Sequence, residues 1–557
     1  MLLTALQAQA LPLQPIPSLN LPPATPATPP PLLPRVSPPE IINSPSSQPE
    51  SQTSSPRTIR VKEFRFQGNT VFTQQQLSEV VASFIGRDIS IAELLQTSAA
   101  IRKFYTDRGY LVAGAFIPEV GNEALDPQAA IVTIRVVEGT VEQIKVTGDD
   151  RFAEYVQSRL ERATRPILQE QRLIEVLRLL QADPRIQTIS AVLNPGTEPN
   201  TRILEVQIAT NSTFSGSVEL NNQRSQLVGR LERRIDLKQV NLLGLGDDLS
   251  LFYANTNGSN TIGTTYTIPV NVQNGTVQLS ATWLNSRIIE EPFDEADIRS
   301  SSTFYDLTFR QPIVQRATEE SIQELALGIT ASHSESRSSI LGVPFPLSPG
   351  ADDQGRTRIS AIRLFQEWTQ RSDSSVFAAR SHFSFGINAL NSTINRDAPD
   401  SRFLSWRGQF LWLQRVNSQL DIFLRSQLQF SASFAPGGDH ALVPTEQFSL
   451  GGSSTVRGYA QNAALNDNGI FGSAEFRIGL LRNDSTSLLL IPFVDMGRAW
   501  NRNGNDSNTL ASLGLGLQWT QNDLQVRANY AFPLTTLENQ SPQANQFDFS
   551  VQYNFSF

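Results

Sequence analysis

"FDFSVQYNFSF", residues 547–557, closes the chain, and its reading decides the fold. Every second residue is apolar: Phe547, Phe549, Val551, Tyr553, Phe555 and Phe557. Between them stand Asp548, Ser550, Gln552, Asn554 and Ser556. A period of two is that of a strand with one apolar and one wet face. Such a strand can belong to a sandwich or to a barrel. Its length matches a transmembrane strand, which takes about 9–11 residues, apolar outward and polar inward.

The same alternation extends back to residue 212. In "LDIFLRSQLQF" (420–430), Leu420, Ile422, Leu424, Leu428 and Phe430 share one face, and Asp421, Phe423, Arg425, Gln427 and Gln429 the other. "FLSWRGQFLWL" places Leu404, Trp406, Phe410 and Trp412 in one row, with Gly408 as its gap. "TFYDLTF" alternates through Tyr305, Leu307 and Phe309. Turn clusters separate the runs: "GLGDD" at 244–248, "NTNGSN" at 255–260, "NRNGNDSN" at 501–508. At roughly 20 residues per strand and connection, residues 212–557 make about 16 antiparallel strands. A soluble all-β region of this size would divide into sandwiches, and no linker divides this one. The expected fold is a transmembrane β-barrel. A transmembrane helix needs about 18 apolar residues in a row; the longest apolar run, Leu488–Val494, contains Pro492.

The composition removes other classes. The chain has 557 residues, 39% apolar and 18% charged, with a net charge of −8. An acidic balance argues against a nucleic-acid partner. Cysteine is absent, so disulfides, thiolate metal sites and cysteine nucleophiles are excluded. His333, His382 and His440 have no metal-ligand spacing. No acid/base or nucleophile constellation emerges, and neither an enzyme nor a cofactor or metal site is expected. Residues 1–10, "MLLTALQAQA", end in a small-x-small pattern and read as a truncated signal peptide. Residues 11–56 hold 15 prolines among Ser, Thr and Gln and read as a disordered linker.

Residues 57–211 contain a repeat. "VKEFRFQGN" (61–69) aligns with "VEQIKVTGD" (141–149), and "IVTIRVVEG" (131–139) corresponds to "RILEVQIAT" (202–210). Thr73 with Gln76 and Ser90 with Glu93 form capping boxes, with staples Phe72–Leu77 and Ile89–Leu94. Leu77, Val80, Val81 and Phe84 mark one helix face, which Gly86 can end; the second helix runs toward Gly109. Strands near 112–118 and 129–138 follow. In the second copy Phe152, Tyr155, Val156 and Leu160 mark one helix, and Leu173, Val176, Leu177 and Leu180 the next. Strands near 187–194 and 201–210 complete it. The order is β-α-α-β-β, twice: residues 57–139 and 140–211. With "RGY" (108–110) and "VVEG" (136–139), each copy resembles a POTRA domain, a periplasmic polypeptide-binding module. The resemblance implies a sheet edge open to strand addition; read without it, the copies are α+β spacers.

"EQFSLGGSSTVRGYAQN", residues 446–462, sets one arginine in a glycine-rich loop. Taken by itself, Arg457 reads as an ordinary exposed loop arginine. Inside a barrel it needs a carboxylate partner. "FVDMG" (493–497) offers Asp495 on an inward strand position beside Phe493 and Gly497, with Val494 and Met496 facing outward. A guanidinium fork suits such a bidentate pair. Glu475 is a further candidate inward carboxylate, or else a solvated lumen residue. "VRGY" (Val456, Arg457, Gly458, Tyr459) with "FVDMG" behind two POTRA-like copies resembles the two-partner secretion translocators, the ShlB/FhaC-type haemolysin secretion/activation family. "EQFSLGG" and "NLLGLGDDL" (241–249) also look like segments of that family, and the resemblance spans 57–557. It implies an outer-membrane translocator exporting a large exoprotein that carries an N-terminal secretion domain, with the loop folded into the lumen and Arg457 docked on Asp495. The terminal Phe557, with Phe555 and Tyr553, resembles the signal that outer-membrane barrels present to their assembly machinery. Outer-membrane lipids are the remaining partner. Members often carry an N-terminal plug helix, and residues 11–56 offer none. A barrel-insertion factor of the same superfamily is the alternative, since such factors share the POTRA domains and the arginine loop.

Overall fold

The computed structural model describes residues 42–43, 58–118, 130–396, 398–433, 441–483, 485–502, 507–537 and 546–557. The reading of residues 1–10 as a truncated signal peptide lies outside these residues, as does the linker reading of 11–56 apart from 42–43. The chain forms two compact units that meet in sequence at Asn211 and Ser212.

The first unit holds two small sheets covered by helices. In one, β1 (Thr58–Gln67) is followed by α1 (Gln74–Val80), β2 (Asp88–Ser90), α2 (Ile91–Thr106), β3 (Gly114–Phe116) and β4 (Ala130–Val137), in sheet order β2-β1-β4-β3. In the other, β5 (Thr140–Thr147) is followed by α3 (Asp150–Thr164), α4 (Glu170–Gln181), β6 (Ile186–Pro195) and β7 (Thr201–Thr210). Its order is β6-β7-β5, and residues 42–43 pair in parallel along β6. The repeat recurs in the parallel ladder between the first and last strands of each copy. β1 runs parallel to β4 and β5 parallel to β7, and each ladder shifts register at the same place, Val61/Glu63 and Val141/Gln143. Gly68 and Gly148 end these strands with positive φ, and a Cβ there would strike the Val136 or Ile208 carbonyl at 2.4 and 1.9 Å. The glycine closing each repeat is therefore required by the neighbouring strand.

Both capping boxes form, Thr73 with Gln76 and Ser90 with Glu93. The first helix is shorter than its apolar pattern suggests. The α-helix stops at Val80, and Ala82–Phe84 form a 3₁₀ turn. Two adjacent β-branched residues, Val80 and Val81, favour helix weakly, and the Gly86 N–H donates to the Val61 carbonyl at 2.9 Å, drawing the chain back onto β1. The strand expected at 112–118 reduces to Gly114–Phe116. The glutamate of "VVEG" has a structural task. Buried Glu138 accepts from the backbone N–H groups of Thr70 and Val71 and from the Tyr105 hydroxyl, all at 2.8 Å. Burial pushes its carboxyl upward, but these donors and the Thr70 hydroxyl outweigh it and hold the group below the usual carboxylate range.

The second unit is a closed antiparallel barrel of 16 strands. They are β8 (Phe214–Asn221), β9 (Glu232–Val240), β10 (Asp248–Asn255), β11 (Ser259–Pro269), β12 (Thr276–Arg287), β13 (Arg299–Ala317), β14 (Ser321–Ile340), β15 (Arg356–Ser372), β16 (Ser375–Ile387), β17 (Phe403–Arg415), β18 (Leu420–Ser433), β19 (Asn468–Arg482), β20 (Thr486–Trp500), β21 (Ser507–Gln521), β22 (Leu524–Pro533) and β23 (Gln546–Ser556). Neighbours in sequence pair throughout, and β23 closes on β8 from Ser550↔Asn221 to Ser556↔Ser215. Among the described residues, closure leaves no strand of the barrel as an open edge, which a bilayer requires.

The burial pattern is the reverse of a soluble protein. On β18 the polar row Asp421, Arg425, Gln427 and Gln429 is buried, while Phe430 faces out. On β23 Asp548 is buried, while Phe547 and Tyr553 are each 52% exposed. Leu279, Ile262, Leu307 and Leu515 extend the same outer apolar surface. A continuous apolar wall of this extent is stable against lipid, not water.

Glu138→Ala should destabilise the N-terminal unit by about 2–3 kcal/mol, since several buried donors lose their acceptor; urea unfolding of that unit reads it. Because the folded pKa of Glu138 is depressed, its contribution is present above the ordinary carboxylate pKa of about 4.3 and is lost as pH falls below it; Glu138→Gln should flatten that acid slope. In the cysteine-free chain, Leu279→Cys in proteoliposomes should react with a lipid-soluble maleimide only, and Gln278→Cys with a water-soluble one; the reverse order would mean an inverted wall.

Candidate functional site

The segment between β18 and β19 is the longest connection of the barrel wall, and its described residues, 441–467, turn inward. Residues 448–450 and 464–466 pair as a short hairpin. Phe448, Leu450, Val456, Tyr459 and Ala464 pack with the inward residues Phe471, Ala499 and Leu510 as an apolar cluster inside the barrel. The loop of residues 446–462 thus has a core of its own within a polar lumen.

Arg457 stands at the centre. It is 2% exposed, and Asp495 is fully buried. Its Nε and Nη2 donate to Asp495 Oδ2 and Oδ1 at 2.7 and 2.8 Å, and its backbone N–H donates to Oδ2 at 3.1 Å. Nη1 donates to Glu475 Oε1 at 2.8 Å, and Nη2 also reaches Ser473 Oγ at 3.3 Å. The guanidinium lies 3.5 Å above the ring centroid of Phe493. One side chain therefore spends its fork on two carboxylates and its flat face on an aromatic ring.

Strand register assembles these partners. Ser473 is the cross-strand partner of Asp495, and Glu475 of Phe493. Ser473 donates to Asp495 Oδ1 at 2.7 Å, fixing the carboxylate. Phe493 pairs across with Gly514, where a Cβ would lie 2.3 Å from the ring; the glycine leaves the ring room beneath the arginine. Val494 and Met496 face out, 49% and 59% exposed, as alternation requires. Leu450 of the loop sits on Gly497, 2.7 Å from where a Cβ would be. Gly458 has φ +93°, and a side chain there would press on Ala531 and Pro533. That turn sends Tyr459 the opposite way from Arg457. The Tyr459 hydroxyl donates toward the carbonyls of Ala511 and Thr535, both at 2.8 Å, and accepts from the Thr535 N–H.

The structure places Glu475 in the same network, 2% exposed. Arg477 reaches its Oε2 at 2.9 Å and Arg527 its Oε1 at 3.2 Å. Sequence reasoning passed over both arginines. Arg477 was within reach, two residues beyond Glu475 on the same strand face; Arg527 is brought across only by the barrel. A second anchor was also missed. Glu446, at the loop's start, receives Arg363 of β15 at 2.7 and 3.1 Å, and Gln429 of β18 donates to its carbonyl at 2.9 Å. At the other side Gln461 accepts from the Ser225 N–H at 3.1 Å. The loop is tied to the wall on several sides of the lumen. The aromatic residues at the C-terminus lie elsewhere: Tyr553 is exposed on the outer face of β23, Phe555 is half-buried there, and Phe557, just past the strand, is exposed.

Comparison with known proteins agrees with this architecture. Residues 201–519 match the family described as haemolysin secretion/activation protein ShlB/FhaC/HecB, and residues 59–139 match the ShlB-type POTRA domain. The outer membrane transporter CdiB of Dickeya dadantii (strain 3937) is 20% identical over 468 residues, covering 81% of this chain and 78% of that one. The heme/hemopexin transporter protein HuxB of Haemophilus influenzae (strain 86-028NP) is 21% identical over 505 residues, covering 84% and 82%. Among solved structures, CdiB from Escherichia coli superimposes with a TM-score of 0.67 at 18% identity, covering 94% of each chain. BamA from Haemophilus ducreyi lacking POTRA domains 1–3 gives 0.53 at 17%, covering 90% of this chain and all of that one, a likeness of fold. With more than half its length inside one family model, the chain belongs to the haemolysin secretion/activation family and is an outer-membrane translocator of two-partner secretion.

Proposed function

We propose that the N-terminal domains receive an unfolded exoprotein, through its own N-terminal secretion domain, in the periplasm, that the barrel conducts it outward, and that the Arg457 network holds the luminal loop in the conducting state. The observation that carries this is the buried fork of Arg457 on Asp495, which joins a loop to a wall strand. Removing one member of such a pair leaves the other charge buried without it, at about 3–5 kcal/mol. Loss of Arg457 therefore removes a charged anchor at the centre of the loop, with the Glu446–Arg363 pair remaining at its start. The hydrogen-bonded wall is independent of it.

Strand addition is supported by the chain's own backbone, since the edge of β6 accepts residues 42–43 in parallel register. An incoming extended segment would pair along the same edge in place of residues 42–43. No Walker-type phosphate loop appears in the sequence, so folding of the exported chain outside is the proposed source of direction. Phe557, exposed at the end of β23, is offered to the barrel assembly machinery together with Tyr553 and Phe555, and the apolar wall to outer-membrane lipid.

Arg457→Ala should leave a heat-modifiable, SDS-resistant barrel at normal abundance and lower export of the partner at least tenfold. Arg457→Lys should not restore it, because an ammonium cannot make the bidentate pair and the ring contact together. Unchanged secretion would remove the loop from the mechanism. Deleting the gene should deplete one or a few large secreted proteins and spare other barrels; general loss of outer-membrane barrels would instead identify an assembly factor.

A further inference from the structure

On the outer face of the barrel, the ends of β11 to β15 frame a groove of 640 Å³ lined by Arg287, Arg299, Arg337 and Arg356 with Asn260 and Asn285. The rest of the lining is serine, asparagine, glutamine, glycine and proline, with no carboxylate. We propose that this groove binds the phosphate-bearing sugar headgroup of an anionic glycolipid of the outer leaflet.

Its place in the membrane follows from connectivity. β8 begins at Phe214, just after the last strand of the periplasmic domains ends at Thr210, so β8 runs outward. Strand directions alternate from there, which puts the end of β12, the start of β13, the end of β14 and the start of β15 at the outer rim. The arginines face lipid, not lumen. Arg287 has the parity of Leu279 and Trp283, Arg299 of Tyr305 and Leu307, Arg337 of Leu327 and Ile329, and Arg356 of Leu364 and Trp368. All eight of these apolar residues are exposed, and neither ladder shifts register. Arg287 stands about 13 Å along the strand above Trp283. Trp283 and Tyr305 meet edge-to-face at 6.2 Å, as interfacial aromatics below a headgroup layer would.

The four arginines stand as two like-charged cross-strand pairs. Arg287 is the direct cross-strand partner of Arg299, and Arg337 of Arg356. Like charges directly opposite one another destabilise a sheet. The flanking carboxylates answer this only in part. Asp297 receives both Arg287 and Arg299, at 2.8 and 3.0 Å; Glu335 receives Arg337 at 2.6 Å; Asp352 receives Arg356 at 3.1 Å. Arg287, Arg299 and Arg337 remain more than half exposed with most of their N–H donors unspent. Guanidinium forks match phosphate oxygens bidentately, and the asparagine and serine side chains suit sugar hydroxyls. A soluble anion would use the arginines alone. The apolar wall directly below them selects an amphiphile, whose acyl chains lie along Trp283, Tyr305 and Leu307.

The test uses the full chain in nanodiscs doped with diphosphoryl lipid A, with lipid retention read by native mass spectrometry. Wild type should retain lipid A over phosphatidylcholine. The Arg287→Gln, Arg299→Gln, Arg337→Gln, Arg356→Gln variant should lose at least tenfold of that preference, while Arg498→Gln, an outward rim arginine on β20, keeps it. SDS resistance certifies the fold. Should the fourfold variant lose it, Arg299→Gln with Arg356→Gln takes one charge from each pair and should still lower the preference severalfold. Equal retention by the folded variant and wild type overturns the site. Full displacement of lipid A by equimolar inorganic pyrophosphate overturns the lipid and leaves a free-anion site.

Discussion

A charge shut away from water has to be matched where it stands, and that requirement organises the barrel interior. Arg457 is almost wholly enclosed, and its position is legal only because Asp495 and Glu475 meet its fork and Phe493 its face. Each of these partners is in turn set by something else. Ser473 aims the Asp495 carboxylate, Arg477 and Arg527 neutralise the second carboxylate, and Gly514 makes space for the ring. The network crosses from the loop to β19, β20, β21 and β22. It converts a long connection that could wave outside into an internal element with one seat.

The rest of the loop reinforces that seat by different chemistry. Glu446 is held by Arg363, Tyr459 by the segment near Thr535, and an apolar cluster fills the space between. These contacts approach the wall from several directions, so no single one of them orients the loop. The fork of Arg457 and the Arg363–Glu446 pair are both charged and bidentate, and together they anchor the centre and the start of the loop. A translocator needs a conduit that is closed to leakage and yet passes a chain; a loop held by two charged pairs and an apolar cluster suits that demand.

Much of the fold was legible. Alternation through "LDIFLRSQLQF" and "FDFSVQYNFSF" announced wall strands, and the capping boxes at Thr73 and Ser90 announced helices that formed where they should. Where the reading overran, as at Val80–Phe84, a long-range hydrogen bond from Gly86 to Val61 cut short a pattern that was locally consistent. Glu138 shows the same limit from the other side. It stands beside a glycine at a strand end, and nothing local reveals that its carboxylate ties down Thr70, Val71 and Tyr105.

What the sequence determined by itself was everything that depends on period and residue type: two repeats, a barrel of alternating strands, and an arginine that needed a carboxylate. What only the tertiary structure decided was which inward residues meet. Arg527 and Glu475 are far apart in the chain and share no pattern; register and closure place them 3.2 Å apart. The same holds for the outer rim, where Arg287 and Arg299, each unremarkable in its own strand, become a like-charged pair once β12 and β13 align. A strand's period says which face a side chain takes, but only the pairing of strands says whose company it keeps.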